Sequence, residues 1–154
     1  MNLSDIVYRE VSPLDEEVIH LIDKLNQYQI RLYGIDKCNL EPPASLQQNR
    51  AFMIGAYSNG RLIGIGAVKL LPDYAEIKRM YLEEEFRGRA IAESVLAYLE
   101  KYALEKGIFR ICLETGNKHA SALAFYKKAG YKEIEKFGHY RPNEVSIYFE
   151  KVHG

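Results

Sequence analysis

An excess of charge of either sign is missing from this chain of 154 residues: 21 Lys and Arg against 21 Asp and Glu leave a formal net charge of zero. A balanced chain raises no global field to draw it onto nucleic acid or an anionic membrane, so neither partner is expected and any anion site has to be local. Cysteine is scarce as well. Cys38 and Cys112 stand far apart with no CxxC pair, and the four histidines are scattered, so neither a metal site nor a disulfide framework is expected. Cys112, between Ile111 and Leu113, reads as a small core residue. Long apolar runs are also lacking. The opening "MNLSDIVYREV" carries Asp5 and reads as neither a signal peptide nor a membrane span, which makes a cytoplasmic protein the expectation.

With 47% hydrophobic residues, a chain of this length supports one domain over residues 1–154, burying roughly 70% of its unfolded surface. "DIVYREV" (5–11) predicts a short strand. A helix is expected over 12–34, with Ser12 as N-cap, Pro13 in the first helical position, and Leu14, Val18, Leu21, Ile22 and Leu25 on one face. The polar, proline-containing stretch 35–50 reads as a loop with one helical turn, long enough to help shape a site. "AFMIGAY" and "RLIGIGAVKLL" flank Asn59-Gly60, the strongest short hairpin signal. "YAEIKRMYL" adds a third long strand. A helix from about Arg89 to Lys106, strand "FRICLET", helix "HASALAFYKKA", and strands "YKEIEK" and "VSIYFEK" complete the pattern, with Gly107 and Gly130 closing the helices. Strand, helix, strand in this order places a parallel crossover inside an otherwise antiparallel sheet.

Chemistry concentrates around "FRGRAIAESVL" (86–96). Arg87, Gly88 and Arg89 form a basic turn that runs into a helix whose first amides lack partners within the helix, a favourable place for a phosphate. The same residues also read as a solvated basic turn before an amphipathic helix, with Ile91, Val95, Leu96, Leu99 and Ala103 on its apolar face. Both readings stand on these eleven residues alone.

The longer stretches "AEIKRMYLEEEFRGRAIAESVLAYLEKYALEKG" and "LETGNKHASALAFYKKAGYKEI" resemble the GNAT superfamily of acetyl-CoA-dependent N-acetyltransferases. The likeness is specific over residues 75–135 and is supported by element order along almost the whole chain. It implies the GNAT fold: a mixed, mostly antiparallel twisted sheet of six to seven strands with one parallel crossover, flanked by about four helices. It further implies acetyl-CoA as co-substrate, a small-molecule amine as acceptor in the manner of a bacterial subgroup, and homodimerisation as a common assembly. The family's pyrophosphate signature falls on Arg87, Gly88, Arg89, Ala90, Ile91 and Ala92. Ala92 conforms, while Ala90 stands where glycine is expected. The extra methyl is either tolerated in a right-handed helical conformation or pushes the pyrophosphate outward, so weakened or slightly shifted coenzyme binding rather than none is the expectation.

Acetyl transfer from a thioester to an amine has to remove a proton from an ammonium of pKa near ~10 and stabilise a thiolate basic near ~8.5. By the resemblance, Glu76 matches an acidic strand residue that often serves as base, and Tyr126 matches a tyrosine near the coenzyme sulfur. From the residues themselves, Glu76 reads equally as a paired, solvated carboxylate, and Tyr126 as part of a core stripe. Strict alternation puts Glu76, Lys78, Met80 and Leu82 on one face, with Lys78 as a charge partner for Glu76. The resemblance also assigns the backbone of Met80, Tyr81 and Leu82 to the pantetheine arm and Asn117 to the coenzyme, where Asn117 by itself is a turn former or helix cap. Tyr140, before the last strand, is a substrate-contact candidate. His119 lies in the Asn117 loop. Glu83, Glu84 and Glu85 read as a solvated turn, and Arg31, Lys37 and the loop to Arg50 either as solvated charge or as a site for a carboxylated amine. The function expected is N-acetyl transfer by direct attack in a ternary complex. The alternative is an acyl-CoA sensor or protein-interaction module that has lost turnover.

Overall fold

In chain order the elements are strand β1 (Ile6–Glu10), helix α1 (Glu16–Tyr33), strands β2 (Arg50–Ser58), β3 (Arg61–Leu70) and β4 (Ala75–Leu82), helix α2 (Ile91–Glu105), strand β5 (Arg110–Gly116), helix α3 (Ala120–Lys128), and strands β6 (Lys132–Ile134) and β7 (Ser146–Val152). The computed structural model describes residues 5–35, 50–138, 140 and 143–153, so the expected loop turn, Lys37 and Cys38 lie outside the described residues. All seven strands join one sheet in the order β1-β2-β3-β4-β5-β7-β6. Only the β4–β5 contact is parallel, which is the crossover expected from strand, helix, strand.

Local chemistry explains most of these elements. Asn59 and Gly60 take φ of 50° and 78°, the positive pair that a tight two-residue turn between twisted strands requires. The apolar stripe of α1 is Val18, Leu21, Ile22 and Leu25. Its start differs from expectation: Asp15, not Ser12, occupies the N-cap position. Ser12 closes a separate turn, its Oγ accepting from the Leu14 amide at 3.1 Å and its own amide donating to Asp15 Oδ2 at 3.1 Å. That turn delays the helix, and Leu14 stays 47% exposed instead of joining the buried face.

The sheet is covered differently on its two faces. On one, α2 and α3 pack through Ile91, Val95, Leu99 and Tyr126 against Ile63, Ile77, Leu113 and Phe149. On the other, α1 covers Met53, Ile65 and Ala67, while an aromatic group of Phe137 and Tyr148 with Tyr74 and Tyr140 covers Cys112. Cys112 is fully buried and free, and burial raises its thiol pKa to about 11 despite the opposing charge of Arg110.

Strand β4 departs from strict alternation. Lys78 pairs with Ala67 and Tyr81 with Ile65, leaving Arg79 and Met80 together opposite Gly66, and Arg79 adopts φ of +58°. This is a β-bulge, and one extra residue turns the rest of the strand over. Met80 and Leu82 therefore pack with Ile77 beneath α2, and Tyr81 packs beneath α1. The expectation that Glu76, Lys78, Met80 and Leu82 share a face is corrected by this break in register.

Candidate active site

Three residue pairs hold β4 to β5: Ala75 with Ile111, Glu76 with Cys112, and Ile77 with Leu113. Past Ile77 the strands part, and a cavity of about 780 Å³ opens between them. It passes through the sheet, because Leu25 and Tyr28 of α1 line it on one face and Phe125 and Tyr126 of α3 on the other. Glu76, Met80, Tyr81, Leu82, Arg87, Gly88, Ala90, Ile91, Ala92, Tyr126 and Tyr140 all border this one space. Arg89 and Asn117 do not border it. Arg89 is exposed, its guanidinium 5.8 Å from the Phe86 ring centre, and the Asn117 side-chain amide donates to the Glu144 carbonyl at 2.9 Å while its backbone amide reaches the Val145 carbonyl at 2.7 Å. Asn117 thereby fastens the end of β5 to the segment entering β7.

At the mouth, a single turn of 3-10 helix (Glu84–Phe86) leads from β4 into the Arg87–Ala92 turn. Arg87 is steadied by its Nε, which donates to the Leu82 carbonyl at 3.0 Å. Gly88 takes φ of +79° and Ala90 φ of +62°, so two left-handed residues bracket Arg89 just before α2. Ala90 is the N-cap and is not right-handed as expected, so its methyl incurs the left-handed penalty, roughly 1–2 kcal/mol. No side chain caps that first turn among the described residues. The opening amides of α2 are left for an anion, favoured also by the helix dipole.

Deeper in, Glu76 is only 6% exposed and accepts a hydrogen bond from the Tyr140 hydroxyl at 2.6 Å. A buried carboxylate that accepts from a phenol and faces a cavity is equipped to take up a proton. Tyr126 lies in the α3 face of the cavity against the rings of Phe125, Tyr131 and Phe149. Burial pushes its phenol well above the ordinary tyrosine range, so it stays protonated at neutral pH and has a hydrogen to donate.

Two further aromatic side chains, His119 of the Asn117 loop and Tyr33, line the same cavity. His119 lines the cavity and packs on Tyr28 with ring centres 5.0 Å apart. Burial, then the charge of Arg87, lower its pKa, so the imidazole is neutral at pH 7. Tyr33, at the end of α1, closes the far wall. Its hydroxyl accepts from the Lys118 amide at 2.8 Å and sits where a Cβ on Gly116 would be, at 1.9 Å. Glycine at 116 is therefore a matter of space: any side chain there would displace Tyr33. Tyr28 and Tyr33 carry no local motif for this role, since the groups they meet at the cavity, His119 and Lys118, are 80 or more residues away.

Glu83 also differs from expectation. It is 7% exposed, bound by Lys24 at 2.8 Å and Arg61 at 3.2 Å, with the Tyr81 hydroxyl donating at 3.2 Å. Burial pushes its pKa up, but the hydrogen bonds and charge of Lys24, with those of Arg61 and Tyr81, outweigh it and hold the carboxyl below its ordinary range. Glu84 and Glu85 are exposed as expected.

A model of the acetyltransferase (GNAT) family matches residues 16–131. The chain is 30% identical to an IAA acetyltransferase of Azospirillum brasilense over 151 residues, covering 97% of this chain and 99% of that protein. Among solved structures, a Klebsiella pneumoniae chain described as an acyl-CoA N-acyltransferase superposes with a TM-score of 0.82 at 28% identity, covering 96% of this chain and 97% of that one. The PaiA N-acetyltransferase of Thermoplasma acidophilum, solved in complex with coenzyme A, shares the fold at a TM-score of 0.72 and 23% identity, covering 96% and 99%.

Proposed function

Since the chain belongs to the acetyltransferase (GNAT) family and is an acyltransferase, we propose that it transfers the acetyl group of acetyl-CoA to a primary amine of a small molecule, by direct attack within a ternary complex. Acetyl-CoA supplies an activated thioester; binding, orientation and proton handling fall to the residues of this chain. Three observations support its fit to the cavity. The amides opening α2 are uncapped, the volume of about 780 Å³ lies within the ~300–1,000 Å³ usual for ligand sites, and β4 beyond Ile77 is unpaired with β5.

In this reading the amides of residues 88–92 and the guanidinium of Arg87 hold the pyrophosphate. The backbone of Met80, Tyr81 and Leu82 offers hydrogen bonds to the pantetheine amides, as an added strand would. Asn117 acts through position, holding the end of β5 open, instead of through direct contact. Glu76 takes the proton from the incoming ammonium, with Tyr140 fixing the carboxylate. Tyr126 donates a hydrogen bond that stabilises the departing thiolate.

The observation that carries the proposal is the split between β4 and β5, with Glu76 on one face of the sheet and Tyr126 on the other, both bordering one cavity. Purified protein incubated with acetyl-CoA and pooled primary amines tests it by thiol release. Glu76→Gln is expected to lower kcat/KM by about 10²–10⁴, and Tyr126→Phe on the order of a hundredfold. The left-handed strain at Ala90 favours one second reading, a sensor that binds acyl-CoA without turnover. Coenzyme binding with no amine acetylated, and with neither substitution mattering, would establish that reading instead.

A further inference from the structure

Strands β5 and β7 are matched at seven consecutive positions with no shift of register, so the side chains of β5 alternate strictly and Glu114 shares a face with Cys112. Cys112 pairs with Glu76 across the junction, which puts both glutamates on one face of the sheet, and both border the cavity. Ile77 with Leu113 is the last matched pair. Glu114 is therefore the first residue of β5 beyond the point where the strands part, and Glu76 lies just before it on β4. Strand spacing and rise set their α-carbons roughly 8 Å apart, and across that gap two glutamate side chains can reach one nitrogen between them. Each carboxylate accepts from a hydroxyl on the stretch that enters β7: Tyr140 donates to Glu76 Oε2 and Ser146 Oγ to Glu114 Oε2, both at 2.6 Å. Ser146 is fixed in turn by Asn143, whose Nδ2 donates to its Oγ at 3.0 Å and whose Oδ1 accepts from its amide at 2.8 Å. Among the described residues the other oxygen of Glu114, Oε1, has no hydrogen-bond donor. Lys78 and Arg79 border the same cavity, so its charge is mixed and no net field selects a ligand. Placement at the parting of the strands is what distinguishes Glu114.

The ammonium of a primary amine carries three hydrogens on nitrogen and the amide product carries one, so two protons leave the acceptor during transfer. Resting on the acetyl-transfer reading, we propose that Glu114 is a second catalytic carboxylate: it accepts a hydrogen bond from the acceptor nitrogen and receives the second of these protons. Glu76 takes the first, which frees the lone pair that forms the C–N bond. Once protonated, Glu76 has no room for the second. The nitrogen is then positively charged again, and Glu114 takes its second proton as the C–S bond breaks and the electron pair leaves with sulfur, stabilised by the Tyr126 hydroxyl. One of the two protons ends on the thiolate and the other in solvent.

Thiol release from acetyl-CoA is measured for the unmodified protein, Glu76→Gln, Glu114→Gln and Ser146→Ala. The panel of primary amines includes fluorinated ones whose ammonium loses its proton below neutral pH and which therefore arrive uncharged. Glu114→Gln is expected to lower kcat/KM on the order of a hundredfold, mainly through kcat. Ser146→Ala, which leaves the carboxylate but removes the group that positions it, should cost about tenfold. An uncharged amine has a proton to lose only after attack, so with it the Glu76→Gln loss should shrink while the Glu114→Gln loss persists. Melting curves and coenzyme A calorimetry on each variant should match the unmodified protein. Activity of Glu114→Gln within about threefold of the unmodified protein, or a loss that shrinks with uncharged amines as that of Glu76→Gln does, would overturn this role while leaving acetyl transfer intact. A Glu114→Gln protein that no longer binds coenzyme A would assign the residue to structure and overturn the role as well. No turnover of any amine by the unmodified protein would remove the acetyl-transfer reading itself, and this role with it.

Discussion

Strands β2 and β3 are matched at nine positions with a single irregularity at Ala56 and Tyr57, whereas β4 and β5, in the same sheet, are matched at three. In the hairpin, backbone polar groups are used by the ladder and side chains by burial, from Met53 at 3% exposure to Val68 at 0%. At the junction the ladder stops, a bulge re-aims three side chains, and the helix that follows begins without a cap. One region uses its backbone for stability, and in the proposed function the other offers it to a ligand. Strand pairing and strand function draw on the same hydrogen-bonding groups, so they are found in different parts of one sheet.

The largest effect expected from perturbing this contrast is in the hairpin. Ile54, 2% exposed in β2 and remote from the cavity lining, anchors the α2 face. Ile54→Ala should cost about 2–5 kcal/mol in urea unfolding and leave kcat of the folded fraction unchanged. A matching fall in kcat would mean that hairpin and junction are not separable.

A smaller effect is expected at Ala90. Replacing it with glycine relieves a left-handed alanine at φ of +62° but adds unfolded-state entropy. The net gain should be about 0.5–1 kcal/mol in thermal or urea unfolding, accompanied by tighter coenzyme A binding in calorimetry. Loss of stability would show that the methyl makes contacts worth more than the strain.

The smallest effect concerns Glu83, which ties the end of β4 to α1 and β3. Its carboxyl titrates below the ordinary 4.5 in the folded state, so the unfolded chain binds the extra proton as pH falls. The stability it contributes is therefore complete above about pH 4.5 and is lost as pH falls through the folded-state pKa. Glu83→Gln should flatten that acid limb of the stability curve, measured by urea unfolding from pH 3 to 6, while an unchanged limb would assign it to other carboxylates.

How much of this was legible in sequence follows the same division. Asn59-Gly60, the apolar runs that flank it, and the stripe of α1 apart from Leu14 are local patterns, and the structure agrees with them. The family and the order of elements were legible through resemblance. What failed depended on distant partners or on backbone: Ser12 closing a turn of its own, the bulge at Arg79, Ala90 turning left-handed, and Glu83 buried by Lys24 and Arg61. The Ser12 turn is local, but Ser and Asp both suit an N-cap and the sequence does not say which of Ser12 and Asp15 takes it; β4 reads as regular because a bulge at arginine lacks the glycine that usually marks one. Glu76 and Tyr126, taken singly, were no more than a carboxylate and a core tyrosine; the parting of two strands is what brings them to one cavity.

Amide hydrogen exchange, measured with and without coenzyme A, tests most directly whether the open junction is where the ligand binds. Slowed exchange at residues 78–82 and 88–93, with no change across the hairpin from 51 to 70, is the predicted result. Exchange unchanged at the junction under saturating coenzyme A, or slowed only in the hairpin, would contradict the account.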